Sequence, residues 1–220
     1  MKKLFVFLAV LFCATYSFAQ MKWGIEAGAN LSRFVGSASL PSEKKAKPSM
    51  QIGITVDYEL SAHWMLMSGL SFVQRHGELG LGENYPSSAL GYEAYMRFPK
   101  VQSKINYGQI PLKVGYNFRL SRNFDLLPSM GLYAAYGFGA GSCDMQIKNQ
   151  GKTQWRPLDG MAENGLKAFR SWDWGATAGI KAIWKQHYVL SVDYSLGIKK
   201  VSPDYGLRNS TYQLSVGYRF

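Results

Sequence analysis

The sequence alternates apolar residues with polar residues or glycine over stretches of about ten positions, and a break follows each stretch. A period of two predicts β-strands that have a different environment on each face. The breaks are short at 61–63, 119–124 and 185–187 but long at 36–48, 77–103, 140–170 and 200–209. The eight alternating segments span residues 23–35, 49–60, 64–76, 104–118, 125–139, 171–184, 188–199 and 210–220. This plan predicts an all-β fold, an eight-stranded antiparallel up-and-down transmembrane β-barrel with short periplasmic turns and long extracellular loops.

Composition excludes the main alternatives to a strand-rich fold. Aromatic residues make up 15% of the chain and charged residues only 18%, which is not the composition of a disordered chain. Beyond the N-terminal segment there is no apolar run long enough for a transmembrane helix. Membrane-spanning strands remain compatible with the sequence, because alternation dilutes their hydrophobicity.

A soluble lipocalin-like barrel would show the same alternation but would point its apolar stripe inward. Three features favour a membrane barrel. The segments are longer than ordinary soluble strands and match the length that crosses a membrane at a tilt. The polar stripes are rich in glycine, which suits the crowded interior of a small barrel. The apolar stripes end in aromatic residues, as at the two interfaces of a membrane.

These aromatic residues form two expected girdles. One lies near the short turns and consists of Trp23, Tyr58, Trp64, Tyr116, Phe118, Trp184, Tyr188 and Tyr218. The other lies near the long loops and consists of Phe72, Tyr107, Phe138 and Trp172.

The N-terminus is typical of a cleaved secretory signal. Lys2 and Lys3 precede the apolar stretch 4–12, and Ser17-Phe18-Ala19 provides a cleavage site. We therefore expect a signal peptide at 1–19 and an outer-membrane β-barrel domain at 20–220, in the cell envelope of a Gram-negative bacterium. The alternative, a lipoprotein acylated on Cys13, would need a small residue where Phe12 stands. After cleavage Cys143 is the only cysteine, so an internal disulfide is excluded.

The inward stripes carry equal numbers of acids and bases. An eight-stranded barrel is just wide enough for side chains to fill, so we expect these charges to pair and to plug the lumen. The alternative is a selectivity lining or a proton path. The predicted interior charge network comprises Glu26, Asp57, Glu59, Arg75, Lys113, Asp173, Lys181, Asp193, Lys199 and Arg219.

The sequence gives little support for catalysis. His63 and His187 fall in predicted short turns, and only His76 with Glu78 forms a pair near a loop mouth, without a serine at a strand-compatible spacing. One cysteine and three scattered histidines provide no metal-ligand spacing. We expect no enzyme activity, no metal and no cofactor.

The long loops hold most of the remaining information about function. They carry basic residues at 44–47 in the first loop and at Lys148, Lys152, Arg156, Lys167 and Arg170 in the third. These residues would face outer-membrane lipid and glycolipid, either at a defined glycolipid site or through generic attraction to an anionic surface. Host surfaces or other envelope proteins are further expected partners of the loops. Nucleic acid is not an expected partner, despite a net charge of +11.

The chain resembles the PorT-like small outer-membrane β-barrel proteins, often labelled porin-family proteins. The resemblance covers nearly all of the chain after the leader. It rests on Trp23-Gly24-Ile25-Glu26-Ala27-Gly28, Gly69-Leu70-Ser71-Phe72, Gln74-Arg75, Tyr107-Gly108-Gln109-Ile110-Pro111-Leu112 and Leu214-Ser215-Val216-Gly217-Tyr218-Arg219-Phe220. It implies an eight-stranded outer-membrane barrel and transfers no catalytic residue. The expected role is structural or surface-interacting; the alternative is a narrow channel for ions or small solutes.

Two local features carry further expectations. The apolar alternation of the last segment ends on Tyr218 and Phe220, which we interpret as a signal read by the barrel assembly machinery, as girdle aromatics, or as both. Pro111 has no N–H to give to a ladder, so a bulge or a missing ladder bond is expected in the fourth strand.

Overall fold

A computed structural model describes residues 21–36, 44–80, 97–149, 152–157, 172–200 and 208–220 of the chain. Within these ranges no helix is long and apolar enough to cross a membrane. The strands are β1 (Met21–Val35), β2 (Lys44–Glu59), β3 (Trp64–Gly80), β4 (Arg97–Tyr116), β5 (Phe118–Ser121), β6 (Phe124–Asn149), β7 (Lys152–Pro157), β8 (Trp172–Trp184), β9 (Tyr188–Gly197) and β10 (Arg208–Arg219).

The strands close into one antiparallel barrel. β1 pairs with both β2 and β10, and β4 pairs with both β3 and β6, so the sheet returns to its start. β4 and β5 form a single crossing interrupted at Asn117, while β7 pairs with β6 as a hairpin outside the barrel circuit. The described residues therefore contain eight crossings in up-and-down order, which confirms the predicted fold.

The long breaks expected from the sequence are partly wrong, because several strands continue into them. β4 has 20 residues and β6 has 26, and their ladder extends to Arg97 opposite Lys148. Crossing a membrane takes only about 9–11 residues per strand. Beyond that length the backbone ladder persists, but neither face needs to be apolar, so the alternation disappears from the sequence. The turn expected at 119–124 is also too long, since only Arg122 and Asn123 lie between β5 and β6.

The apolar stripes face outward and the polar stripes face inward. Ile54 on β2 is 47% exposed and Val216 on β10 is 62% exposed. Gln213 and Ser215, which belong to the other stripe of β10, are buried. A soluble barrel would show the opposite arrangement. The outer surface is therefore the lipid-facing one, as the sequence predicts.

Tyr107 is a correction to the expected girdle of the long-loop end. Its ring is fully buried inside the barrel rather than placed at the membrane interface. The reason is simple periodicity, because Tyr107 shares the phase of Gln109 and Lys113, which also point inward. The position of Tyr107 in the alternation of β4 decides which way its ring points, and the general preference of aromatic residues for the membrane interface does not.

Neighbouring strands approach closely at glycines of the inward stripes. A Cβ atom on Gly28 would lie 2.0 Å from the carbonyl oxygen of Leu214, and one on Gly131 would lie 2.0 Å from that of Leu112. Real side chains cannot occupy that space, so both positions require glycine for the strands to coil tightly around a narrow lumen.

Pro111 interrupts the ladder without changing its register. The β3–β4 pairing runs through Ser68 opposite Leu112 and resumes at Ser71 opposite Gln109, and the pairs between them are missing. The carbonyl oxygen of Pro111 accepts a hydrogen bond from Ser68 Oγ at 2.9 Å. The missing ladder bond is therefore as expected, but the bulge is absent at this point.

Candidate functional site

The buried side chains inside the barrel lie in layers, and the layer nearer the long loops centres on Arg75 and Asp173. Both side chains are almost completely buried and form an ion pair. Arg75 Nη2 also donates to Gln109 Oε1 at 2.6 Å. The guanidinium carbon lies 4.9 Å from the ring centroid of Tyr107 and 5.0 Å from that of Tyr133. Two aromatic rings and an acid thus hold one arginine across the lumen.

Asp173 accepts further hydrogen bonds from residues of nearby strands. Tyr133 Oη donates to Asp173 Oδ2 at 3.1 Å, and Asn209 Nδ2 donates to the same oxygen at 2.9 Å. These contacts join β3, β6, β8 and β10, so one carboxylate ties four strands together. A buried charge is tolerable only with such compensation.

A second charged layer lies deeper, toward the short turns. Lys181 Nζ lies 3.0 Å from Glu26 Oε1 and 3.3 Å from Asp57 Oδ1, and all three side chains are largely buried. Lys113 Nζ lies 2.7 Å from Asp193 Oδ1. Two bases therefore face three acids in this layer.

Hydroxyl groups complete the deeper layer. Ser191 Oγ donates to Glu26 Oε2 at 2.9 Å and also lies 2.9 Å from Ser215 Oγ. On its other side Gln213 Nε2 donates to Gln51 Oε1 at 2.7 Å. A cavity of about 60 Å³ lies among the side chains of this layer, which is room for several water molecules.

An apolar layer lies inside the barrel at the short-turn end and was not predicted from the sequence. Its side chains are 0–6% exposed although they belong to inward stripes. They are Met65, Met67, Leu127, Ile183 and Val189. Phase alone identifies them, since Ile183 follows Lys181 and Met67 faces Lys113 across the ladder.

Seven of the ten residues predicted as an interior network pair with one another, namely Glu26, Asp57, Arg75, Lys113, Asp173, Lys181 and Asp193. The other three do not join them. Glu59 lies at the short-turn rim, where its Oε1 is 2.5 Å from Lys22 Nζ and both side chains are more than one third exposed. Lys199 lies beyond the end of β9 and is half-buried, without an ion pair to any described residue.

Arg219 is buried but serves a turn rather than an ion pair. Its Nε donates to the carbonyl oxygen of Gln186 at 3.0 Å, and its backbone N donates to that of His187 at 2.7 Å. Lys185 and Gln186 have φ of 49° and 64°, a left-handed conformation that is costly for residues other than glycine. Arg219 holds this strained turn against the last strand.

The histidines do not assemble a catalytic group among the described residues. His63 stacks on Tyr116 and His187 stacks on Tyr218, both at the short-turn end. Glu78 pairs with Lys47, with 2.7 Å between Oε2 and Nζ. Within the described ranges, no group of three or more His, Cys, Asp or Glu could hold a metal ion.

The basic residues expected in long loops lie in different settings. Lys45 is exposed on β2, whereas Lys148, Lys152 and Arg156 belong to the β6–β7 hairpin. Lys167 and Arg170 fall outside the described residues.

The aromatic residues of the short-turn end contact one another in two clusters. Tyr218 and Phe220 lie edge to face with ring centroids 5.4 Å apart, and the backbone N of Phe220 donates to Trp23 O at 2.8 Å. Elsewhere around the circumference Trp64 lies edge to face with Tyr116. The rings of Trp184 and Tyr188 are in contact at a tilted angle.

A closed antiparallel barrel with an apolar outer face, aromatic belts and a charged interior defines an integral outer-membrane β-barrel protein. The model of one family, described as "Outer membrane protein beta-barrel domain", matches residues 5–220. The chain belongs to this family, which resides in the outer membrane of Gram-negative bacteria.

The solved structures to which the chain is similar are distant in sequence. Ail, the attachment invasion locus protein of Yersinia pestis, is 14% identical over 91% of this chain and 99% of its own, with a TM-score of 0.40. OprG from Pseudomonas aeruginosa is 11% identical over 90% and 95%, with a TM-score of 0.45. Neisserial surface protein A is 12% identical over 90% and 97%, with a TM-score of 0.42. No curated protein matches the chain.

Proposed function

We propose that this protein has a structural or surface-interaction role in the outer membrane and that its lumen is closed to solutes. The observation that carries the proposal is the presence of different barriers in series along the lumen. The Arg75–Asp173 layer, the Lys181 layer and the apolar layer each place buried side chains in the interior. The functional surface is then the outside of the barrel and its long-loop end.

The charged layers oppose permeation because their charges are already paired with one another. A passing ion would have to separate buried pairs such as Arg75 and Asp173, and breaking a buried pair costs about 3–5 kcal/mol. The apolar layer adds a second obstacle, since Met67 and Leu127 offer an ion no polar contact in place of its water. An eight-stranded barrel is in any case only wide enough for its own side chains.

Single-channel recording in planar bilayers tests this proposal against the alternative, a narrow channel. The wild-type protein should give no discrete conductance steps. The variant Met67→Ala/Arg75→Ala/Lys181→Ala, which removes one side chain from each of the three layers, should leak ions and so shows that inserted protein is detected. The variant Leu132→Ala/Ile180→Ala is the matched control on the lipid face and should be silent. Discrete, ion-dependent steps from the wild type would overturn the closed lumen and favour transport.

The narrower assignment to the PorT-like group is part of the same proposal. It is supported by the motif residues 107–112, whose odd-numbered members include the inward Tyr107 and Gln109 of the Arg75 layer. The resemblance to this group transfers no catalytic residue, and we propose that the protein is not an enzyme. We also propose that residues 1–19 are removed as a signal peptide, which mass spectrometry of the protein from outer membranes would test through an N-terminus at Gln20.

Tyr218 and Phe220 are proposed as a signal for the barrel assembly machinery. Their rings lie on the outer face, and Phe220 is 68% exposed, so a partner strand could reach both. The variant Phe220→Ala should accumulate unfolded in the periplasm but still refold in detergent. Normal insertion in cells would leave Phe220 as a girdle residue only.

A further inference from the structure

Two arginines face outward side by side where β1 and β10 reach the long-loop end. In the β1–β10 ladder Arg33 lies opposite Ser210, and Arg208 lies opposite Val35. The two arginines are thus diagonal neighbours, with Cα atoms about 7–8 Å apart, near enough for long side chains to share one ligand. Both side chains are exposed, and neither side chain forms an ion pair or a hydrogen bond with any described residue.

An aromatic shelf lies directly beneath this pair, on the membrane side. Tyr194 and Tyr212 are register partners on β9 and β10, and their ring centroids lie 4.7 Å apart. Ser210 Oγ donates to Tyr194 Oη at 3.2 Å, which fixes one ring below the arginines. Tyrosine rings mark the headgroup level of a membrane, so the arginines lie at or just above that level.

From this shelf an apolar groove runs around the outer surface. Its volume is about 850 Å³, and its floor includes the small residues Pro128, Ala178 and Gly179. Val114, Met130, Ala178, Tyr194 and Tyr212 form one row of successive register partners across five strands. Because barrel strands are tilted, such a row climbs obliquely, here from Trp64 and Phe118 in the short-turn belt toward Tyr212.

We propose that this surface binds a phosphorylated glycolipid of the outer leaflet. The arginine pair would hold a phosphate through charge-assisted hydrogen bonds, and an acyl chain would lie in the groove below Tyr212. This inference rests on the proposed surface role and names its ligand class. Arginine suits phosphate because its planar fork offers paired donors, and two forks together favour a doubly charged phosphate over a zwitterionic headgroup.

A second copy of the chain is a poorer occupant of the same surface. In a symmetric dimer the same patch meets itself, so the arginine pairs of both copies would face each other. No acidic side chain among the described residues pairs with them, and juxtaposed like charges weaken association. Charge complementarity therefore selects an anionic lipid.

Native mass spectrometry of the protein released from phosphatidylcholine nanodiscs tests the proposal. The nanodiscs contain either bis-phosphorylated lipid A or the same lipid A with both phosphates removed. The wild type should retain the phosphorylated lipid, and Arg33→Gln/Arg208→Gln should weaken retention by at least about tenfold, since each lost charged hydrogen bond is worth that factor or more. Arg119→Gln/Arg122→Gln, which removes two exposed arginines at the short-turn end, should retain it like the wild type.

The groove is tested with a pair of lipid-face variants. Ala178→Trp fills the groove and should also lower retention, whereas Ala134→Trp, exposed but outside the groove lining, should not. Equal loss in both arginine variants would show generic attraction and overturn the site, as would unchanged retention in either Arg33→Gln/Arg208→Gln or Ala178→Trp. Lipid-free dimers as the main wild-type species would overturn it in favour of a second copy. None of these outcomes depends on conductance, so failure here is distinct from failure of the closed lumen.

Discussion

At the scale of single residues, the two faces of a strand differ in what they tolerate. Ile54 and Val216 point into the lipid, so Ile54→Arg or Val216→Arg should destabilise the protein by about 2–4 kcal/mol if the position lies near the bilayer midplane, falling to about 0–1 at the interface. Urea titrations of protein refolded in lipid vesicles measure this. Asn123→Arg in an exposed turn is the matched control and should change stability little. A larger loss at Asn123 than at Ile54 would contradict the assignment of the lipid face.

The buried acid Asp173 provides a second residue-scale prediction. Asp173→Ala should cost about 3–5 kcal/mol of unfolding free energy, because it leaves the guanidinium of Arg75 buried without its partner. The double variant Asp173→Ala/Arg75→Met should recover part of that loss, since it removes the uncompensated charge. The same urea titrations give both values. A double variant that loses the sum of the two single effects would show that the two groups are not coupled.

Residue phase could be predicted from the sequence, but partners could not. Alternation alone assigned Lys113 and Lys181 to the lumen, where both are paired. It did not give height along the barrel, which depends on register between strands far apart in sequence. Glu59 therefore pairs with Lys22 at the rim rather than with an interior base.

At the scale of the strand, the ladder pairs that are missing beside Pro111 give the hydroxyl of Ser68 a structural role. The hydroxyl of Ser68 supplies a donor to the Pro111 carbonyl oxygen, a position where the regular β3–β4 pairing is missing. Ser68→Ala should cost about 0.5–1.5 kcal/mol. The cost should shrink in a Pro111→Ala background, where the backbone can complete the ladder. An equal cost in both backgrounds, measured as a double-mutant cycle in vesicles, would refute this role.

Strand existence could be predicted, whereas strand ends could not. Lipid demands alternation only within the bilayer, so the segment 104–118 was recognised but the start of β4 at Arg97 was not. The β6–β7 hairpin likewise lies in the break expected at 140–170, although Met145 and Ile147 alternate there with polar residues. Outside the membrane the strands still pair through their backbones, but neither face has to be apolar. A hydropathy pattern therefore does not mark where these strands end.

At the scale of the whole molecule, an even number of crossings puts both ends of the barrel on one side of the membrane. A cysteine at Lys45 should then react with a membrane-impermeant thiol reagent in intact cells, and a cysteine at Asn123 should not. Both positions are exposed in the structure, so the difference reports topology. Both variants carry Cys143→Ser to remove the background thiol. The reverse labelling pattern would invert the orientation of the barrel.

Thiol reactivity inside the barrel distinguishes a closed lumen from a water-filled passage. Ser71 lines the interior cavity, and Ser71→Cys is a nearly isosteric change. In a Cys143→Ser background, its reaction with a small cationic methanethiosulfonate in vesicles is compared with that of Asn123→Cys in an exposed turn. The closed lumen predicts that Ser71→Cys reacts orders of magnitude more slowly and reaches the rate of the control only after unfolding in urea. Equal rates in the folded protein would mean a water-filled passage and would contradict the account.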